Sequence, residues 1–128
     1  MSEPVWLDIR AVLALHDEQL LQHGGGRGLR DAGLLESALA RPRNAFAYGE
    51  EDLFVLAAAI SVGIVKDHPF VDGDKRTGFI AGVLFLELNG ELFGASEADV
   101  VEKVLALAAG ELTEAAYRDW LSASCRPA

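Results

Sequence analysis

The stretch Asp67-His68-Pro69-Phe70-Val71-Asp72-Gly73-Asp74-Lys75-Arg76-Thr77-Gly78 gathers an imidazole, three carboxylates, an amine and a guanidinium within 12 residues. Phosphoryl or nucleotidyl transfer needs these types: a base for the attacking hydroxyl, a carboxylate for a metal that bridges phosphate oxygens, and cations for the developing charge. His68 is the candidate base, Asp72 the candidate metal ligand, and Lys75 and Arg76 the candidate cations. A lone carboxylate suits Mg²⁺, which keeps several waters and takes further ligands from substrate phosphates. If the residues after Gly73 open a helix, its free backbone N–H groups and positive dipole end add an anion site that Gly73 lets a phosphate approach closely. Taken singly, His68 would more often be a satisfied core histidine, and Asp72 or Asp74 an ordinary helix cap. Of the two carboxylates, Asp74 is the better cap and Asp72 the better metal ligand.

The elements that must hold this segment are helices. Leu53, Val55, Leu56, Ile60, Val62, Ile64 and Val65 make the stretch 51–66 apolar on almost every side, and Phe79 to Leu88 is nearly as apolar. Helices of that kind are buried, so the polar segment lies between two central elements. Asp8 can cap a first helix whose apolar positions Ile9, Val12, Leu13, His16 and Leu20 follow the 3.6-residue period, ended by Gly24 to Gly26. Asp31 opens a short second helix through Leu39 that Pro42 should stop, leaving Arg43 to Gly49 as an exposed loop, of which Arg43 to Tyr48 is suited to docking a protein substrate. Ser96 with Asp99, and Thr113, mark two outer helices; Trp6, Tyr117 and Trp120 read as the edge of the core, Glu91 to Phe93 as a possible short strand, and Arg126-Pro127-Ala128 as a frayed tail. The expected fold is all-α, a compact bundle of about six helices in a single domain spanning 1–128.

Composition narrows the function. The chain has 128 residues and a formal net charge of −9, which disfavours general nucleic-acid binding and confines any phosphate chemistry to a local site. A single cysteine, Cys125, excludes an internal disulfide and a cysteine-based zinc site. The longest apolar run, Leu53 to Val65, has 13 residues and falls short of the roughly 20 that cross a bilayer, and the N-terminus does not read as a secretory signal. A cytoplasmic protein without membrane association is expected. His16-Asp17 invites a competing reading, a His-Asp metal phosphohydrolase completed by His68 and Asp72, but His16 falls on the apolar stripe of its helix and is better read as core. Gly24 to Gly28 closes a helix and is read as a C-cap loop rather than a phosphate cradle.

The run His68 to Thr77 resembles the Fic/Doc signature, H-x-F-x-D/E-G/A-N-G/K-R, in its Doc (death-on-curing) branch. Leu15-His16, His23-Gly24-Gly25, Gly28-Leu29-Arg30-Asp31 and Leu34-Leu35-Glu36-Ser37-Ala38-Leu39-Ala40-Arg41-Pro42 look like the N-terminal half of Doc-type toxins, and Phe85-Leu86 with Asn89-Gly90 extend the likeness over nearly the whole chain. The resemblance implies the Fic fold and a toxin that transfers phosphate from ATP or another nucleoside triphosphate, with Mg²⁺, to a Ser or Thr hydroxyl of a translation factor such as elongation factor Tu. It implies His68 as general base, Phe70 as anchor of the loop, Asp72 as Mg²⁺ ligand, and Gly73, Asp74, Lys75 and Arg76 as the phosphate-holding set. It also implies an antitoxin partner whose disordered C-terminal tail folds across a groove on the toxin. Fic adenylyltransferases have a second Arg three positions beyond the first, where this chain has Phe79; that favours phosphate over AMP transfer, which stands as the alternative. Asp74 occupies the position of the usual Asn. A carboxylate there repels a phosphate unless it is paired or turned to cap the helix, so a catalytically weakened binding module is a further reading.

Overall fold

The computed structural model describes residues 2–128, as six helices and two short strands. In chain order these are α1 (Ile9–His23), α2 (Ala32–Ala47), α3 (Leu53–Asp67), α4 (Asp74–Leu88), β1 (Glu91–Phe93), α5 (Glu97–Ala108), α6 (Glu114–Ala123) and β2 (Cys125–Pro127). Helix starts follow the capping residues in the sequence. Asp8 accepts from the Arg10 N–H, Asp31 from Leu34, Asp52 from Phe54, Ser96 from Asp99 and Thr113 from Ala116, each at 2.7–3.1 Å. Each bond satisfies a donor that the first helical turn leaves without a partner. Asp99 completes no reciprocal capping box; its Oδ2 accepts instead from the Trp120 indole at 2.7 Å, tying α5 to α6.

The centre of the bundle is α3. Every residue from Leu56 to Val65 is buried, as an element apolar on all sides demands. α4 lies against it at close range because Gly78 and Gly82 face it. A Cβ on Gly82 would run into Ser61 Oγ, and one on Gly78 would stand 3.0 Å from the Ser61 carbonyl oxygen. Ser61 Oγ donates to the Gly78 carbonyl at 2.7 Å across this seam, so the one hydroxyl in the apolar helix is paired. The polar segment 68–73 is thereby held between the C-terminus of α3 and the N-terminus of α4.

Three expectations are corrected. Pro42 does not stop the second helix; α2 runs through it to Ala47, and the residues expected as an exposed docking loop, Arg43 to Gly49, are mostly helical. An internal proline costs about 3 kcal/mol. What offsets it is packing beyond the proline: Phe46 meets Trp6 edge to face at 5.7 Å, and the Arg43 guanidinium lies over the same indole. The C-terminal residues are not frayed. Cys125–Pro127 pairs antiparallel with Glu91–Phe93, and the Ala128 N–H donates to the Gly90 carbonyl. Tyr117, expected at the core edge, is wholly buried, whereas Trp6 and Trp120 are half-buried as expected.

Among the described residues no helix is long and apolar enough to cross a membrane.

Candidate active site

α3 ends on His68, the only non-glycine among the described residues with a left-handed backbone (φ 50°, ψ 58°). That conformation costs an ordinary residue roughly 1–2 kcal/mol, so the surroundings must impose it. They do so from the segment between α1 and α2. Leu29 and Phe70 form an isolated antiparallel bridge, the N–H groups of Arg30 and Asp31 both donate to the Pro69 carbonyl, and the Val71 N–H donates to Gly28. The Arg30 guanidinium closes the arrangement, with Nε donating to the His68 carbonyl at 2.7 Å and Nη2 to the Asp67 carbonyl at 2.9 Å.

Phe70 is 1% exposed and fastens the loop from beneath. Its ring stacks on His16 with centroids 3.7 Å apart and planes 10° apart. The other side of His16 is committed too: Nε2–H donates to the Asp72 carbonyl at 2.6 Å, and the carbonyl partner identifies the tautomer. His16 is therefore a core histidine, as its place on the apolar stripe suggested. Asp17, its neighbour in the phosphohydrolase reading, is exposed.

Asp72 is exposed at the head of the loop. Oδ1 accepts from its neighbour Gly73 at 2.9 Å and Oδ2 from Gly26 at 3.3 Å. The chain past α1 comes so near that a Cβ on Gly25 would stand 2.8 Å from Oδ2, at a φ of 120° that disfavours any side chain. The Gly24 to Gly28 stretch thus does more than cap α1; it grips the candidate metal ligand.

Gly73 is the N-cap of α4 and supplies no side-chain cap. Asp74 does not take that role, contrary to the expectation. It is 6% exposed, with Oδ1 accepting from the Phe70 N–H at 3.0 Å and Oδ2 standing 3.5 Å from His68 Nδ1. The left-handed Gly73 turns the following side chain back under the loop, where Phe70 N–H and the His68 ring are its partners. It is oriented towards His68 and Phe70, not towards a phosphate at the helix end. Lys75 and Arg76 are exposed on the first turn of α4, beside N–H groups that no cap consumes.

These groups open into one cleft of about 540 Å³ between the loop, the end of α1, α4 and α5. One half is polar, lined by His68, Asp72, Asp74, Lys75 and Arg76; the other is apolar, lined by Phe79, Ile80, Val100, Val101, Val104 and Leu105. Gln19 and His23 of α1 and Glu97 of α5 also border it. Such a division suits a ligand with an anionic end and an apolar or aromatic end. The structure brings all six signature residues, His68, Asp72, Gly73, Asp74, Lys75 and Arg76, to this cleft.

Residues 6–86 match the model of the Fic/DOC family, and the chain belongs to that family. It is 33% identical over 112 residues, 86% of this chain and 87% of the relative, to the protein kinase doc of Escherichia phage P1. It is also 43% identical over 70 residues to toxin Doc of Mycolicibacterium smegmatis, a stretch covering 52% of this chain and 53% of that protein.

Sequence reading of the loop missed Arg30, Gln19 and His23. Arg30 acts on backbone carbonyls rather than on side chains, so no pairing of residue types betrays it; its only signal was membership of the Gly28-Leu29-Arg30-Asp31 run.

Proposed function

We propose that the chain is a Doc-like toxin that transfers the γ-phosphate of a nucleoside triphosphate, ATP in the first instance, to a Ser or Thr hydroxyl of a translation factor of the elongation factor Tu kind in the cytoplasm. The observation that carries the reading is the placing of His68 at the rim of a cleft whose floor is the uncapped N-terminus of α4. His68 Nδ1 faces Asp74, which leaves Nε2 as the ring nitrogen to take a proton. In the transfer, the substrate hydroxyl gives its proton to His68, its oxygen bonds to the γ-phosphorus, and the bond from that phosphorus to the bridging oxygen breaks, so that the nucleoside diphosphate leaves. The N–H groups at the start of α4, with Lys75 and Arg76, bear the negative charge of the phosphates.

Asp72 fits Mg²⁺. Its carboxylate is exposed and accepts one N–H on each oxygen, which leaves lone pairs for a cation. Among the described residues no three His, Cys, Asp or Glu converge on one point, and a cation held by a single carboxylate with phosphate and water is the manner of Mg²⁺. When bound, the ion neutralises charge on the phosphate oxygens.

Toxin Doc of M. smegmatis supports a toxin reading, and the name of the phage P1 relative supports phosphate rather than AMP transfer. An antitoxin with a disordered tail would find its apolar contacts in the Val101 and Leu105 half of the cleft, where both side chains are about half exposed.

The test incubates the protein with Mg²⁺, elongation factor Tu and ATP labelled separately in its α and γ phosphates, with His68→Ala and Arg76→Ala beside it. Transfer of the γ label that both substitutions abolish is the expected result. Transfer of the α label makes the enzyme an adenylyltransferase, and transfer surviving both substitutions removes this site from the chemistry.

A further inference from the structure

The left-handed turn at His68 is anchored by a residue 38 positions away that lies outside the signature. α3 ends there, and the carbonyls of Asp67 and His68 fall at the negative end of its dipole with no further helical turn to satisfy them. Arg30 supplies both missing donors from one planar group, Nε to His68 and Nη2 to Asp67, and its charge has the sign that a helix C-terminus favours. Its own backbone N–H donates to Pro69, the next residue, at 2.7 Å. Three consecutive carbonyls of the loop are therefore oriented by one residue. Arg30 does not border the cleft. Its guanidinium is engaged by the carbonyls behind the base, not by the residues at the start of α4 that line the cleft.

We propose that Arg30 is a positioning residue: its guanidinium holds His68 in the left-handed conformation that presents the imidazole to the cleft, and it takes no part in binding nucleotide. This inference rests on the reading of His68 as the base. Without the guanidinium the carbonyls of Asp67 and His68 lose their donors, and the backbone ties at Pro69 and Val71 alone are left to oppose rotation of these peptide planes towards ordinary helical or extended values. The imidazole then leaves the position from which it can take the hydroxyl proton, and displacements of about 1 Å cost of order a hundredfold in rate.

The experiment compares Arg30→Ala and Arg30→Lys with the unsubstituted protein. It reads the turnover of label transfer from ATP, ATP affinity by calorimetry, and the ¹³Cα and ¹³Cβ shifts of His68 by NMR, which report the backbone conformation. Arg30→Ala is expected to lower kcat by about ten- to a hundredfold while ATP affinity stays within about twofold. His68 carbon shifts should move away from left-handed values. Arg30→Lys is expected to recover part of the rate, because an ammonium reaches one carbonyl but not the fork of two. A kcat within twofold of the unsubstituted protein, or a loss of ATP affinity as large as the loss of rate, overturns the proposal. Should Arg30→Ala fail to fold by circular dichroism, Arg30→Lys decides by the same criteria. If the unsubstituted protein transfers neither label, the functional reading fails and the NMR arm stands alone: unmoved His68 shifts overturn the positioning role, and displaced ones sustain it.

Discussion

Nδ1 of His68 stands 3.5 Å from Oδ2 of Asp74, and the other oxygen of that carboxylate accepts the N–H of Phe70. Asp74 replaces the Asn that the signature usually carries, and the structure gives the replacement an occupation under the loop, with Phe70 and His68 as its partners. A buried carboxylate with a backbone donor on one oxygen and an imidazole edge on the other has its partners already.

Asp74→Asn should therefore change nucleotide affinity by less than about threefold, as measured by calorimetry with ATP and Mg²⁺. A gain of tenfold or more would mean that the carboxylate opposes the phosphates, and that the native protein is a weakened binder. The imidazole nitrogens of His68 give an independent readout. With an amide opposite Nδ1, the ¹⁵N shifts of His68 should report a different tautomer from the native protein.

Phe70 joins the loop to the core through its stack with His16. Phe70→Ala is expected to destabilise the fold by about 3–5 kcal/mol, read from the urea midpoint, because the site cannot collapse onto the space left beneath the loop. Phe70→Leu keeps most of the volume and should cost much less, yet it loses the flat face on which His16 lies.

At the seam between α3 and α4 a methyl group has no room. Gly82→Ala should cost about 1–3 kcal/mol by overpacking against Ser61. Combined with Ser61→Ala, the penalty should be smaller than the sum of the two single penalties, since the second change removes the hydroxyl that the first one meets. Strict additivity in a double-mutant cycle would show that the two residues do not share this contact.

Burial holds the phenol of Tyr117 above the ordinary tyrosine value. The folded chain then keeps a proton that the unfolded chain gives up, so stability is complete below a pH of about 10 and falls as the pH rises beyond it. The chain has two tyrosines, and the other, Tyr48, is 94% exposed. Near pH 11 the native protein should show less tyrosinate absorbance at 295 nm than the urea-unfolded chain, and the urea midpoint should drop between about pH 9 and pH 11. Equal absorbance from the two states would place Tyr117 in contact with solvent.

Much of this molecule is legible in its residues, for reasons that are local. The signature from His68 to Thr77 is contiguous, and the two apolar helices around it admit no place but the centre. What escaped was settled by contacts distant in the chain. Pro42 obeys its local rule only if nothing lies beyond it, and Phe46 on Trp6 lies beyond it. Residues 125–127 have no signal of their own and become a strand because β1 offers an edge. Asp74 looks like a cap until the left-handed Gly73 turns it under the loop. Arg30 speaks to carbonyls, which every residue has.

The ties that finish the loop all span the chain: His16 to Asp72 across 56 positions, Gly26 to Asp72 across 46, Arg30 to His68 across 38. Each closes a long loop of polypeptide for a single hydrogen bond, so its entropy cost falls due before its own enthalpy is returned. Such contacts are expected to follow the more local pairing of α2 with α3 and of α3 with α4. Contact order therefore predicts that the imidazole is set only after α2, α3 and α4 have paired, an order that φ-values at Arg30 and His16 lower than those in α3 would check.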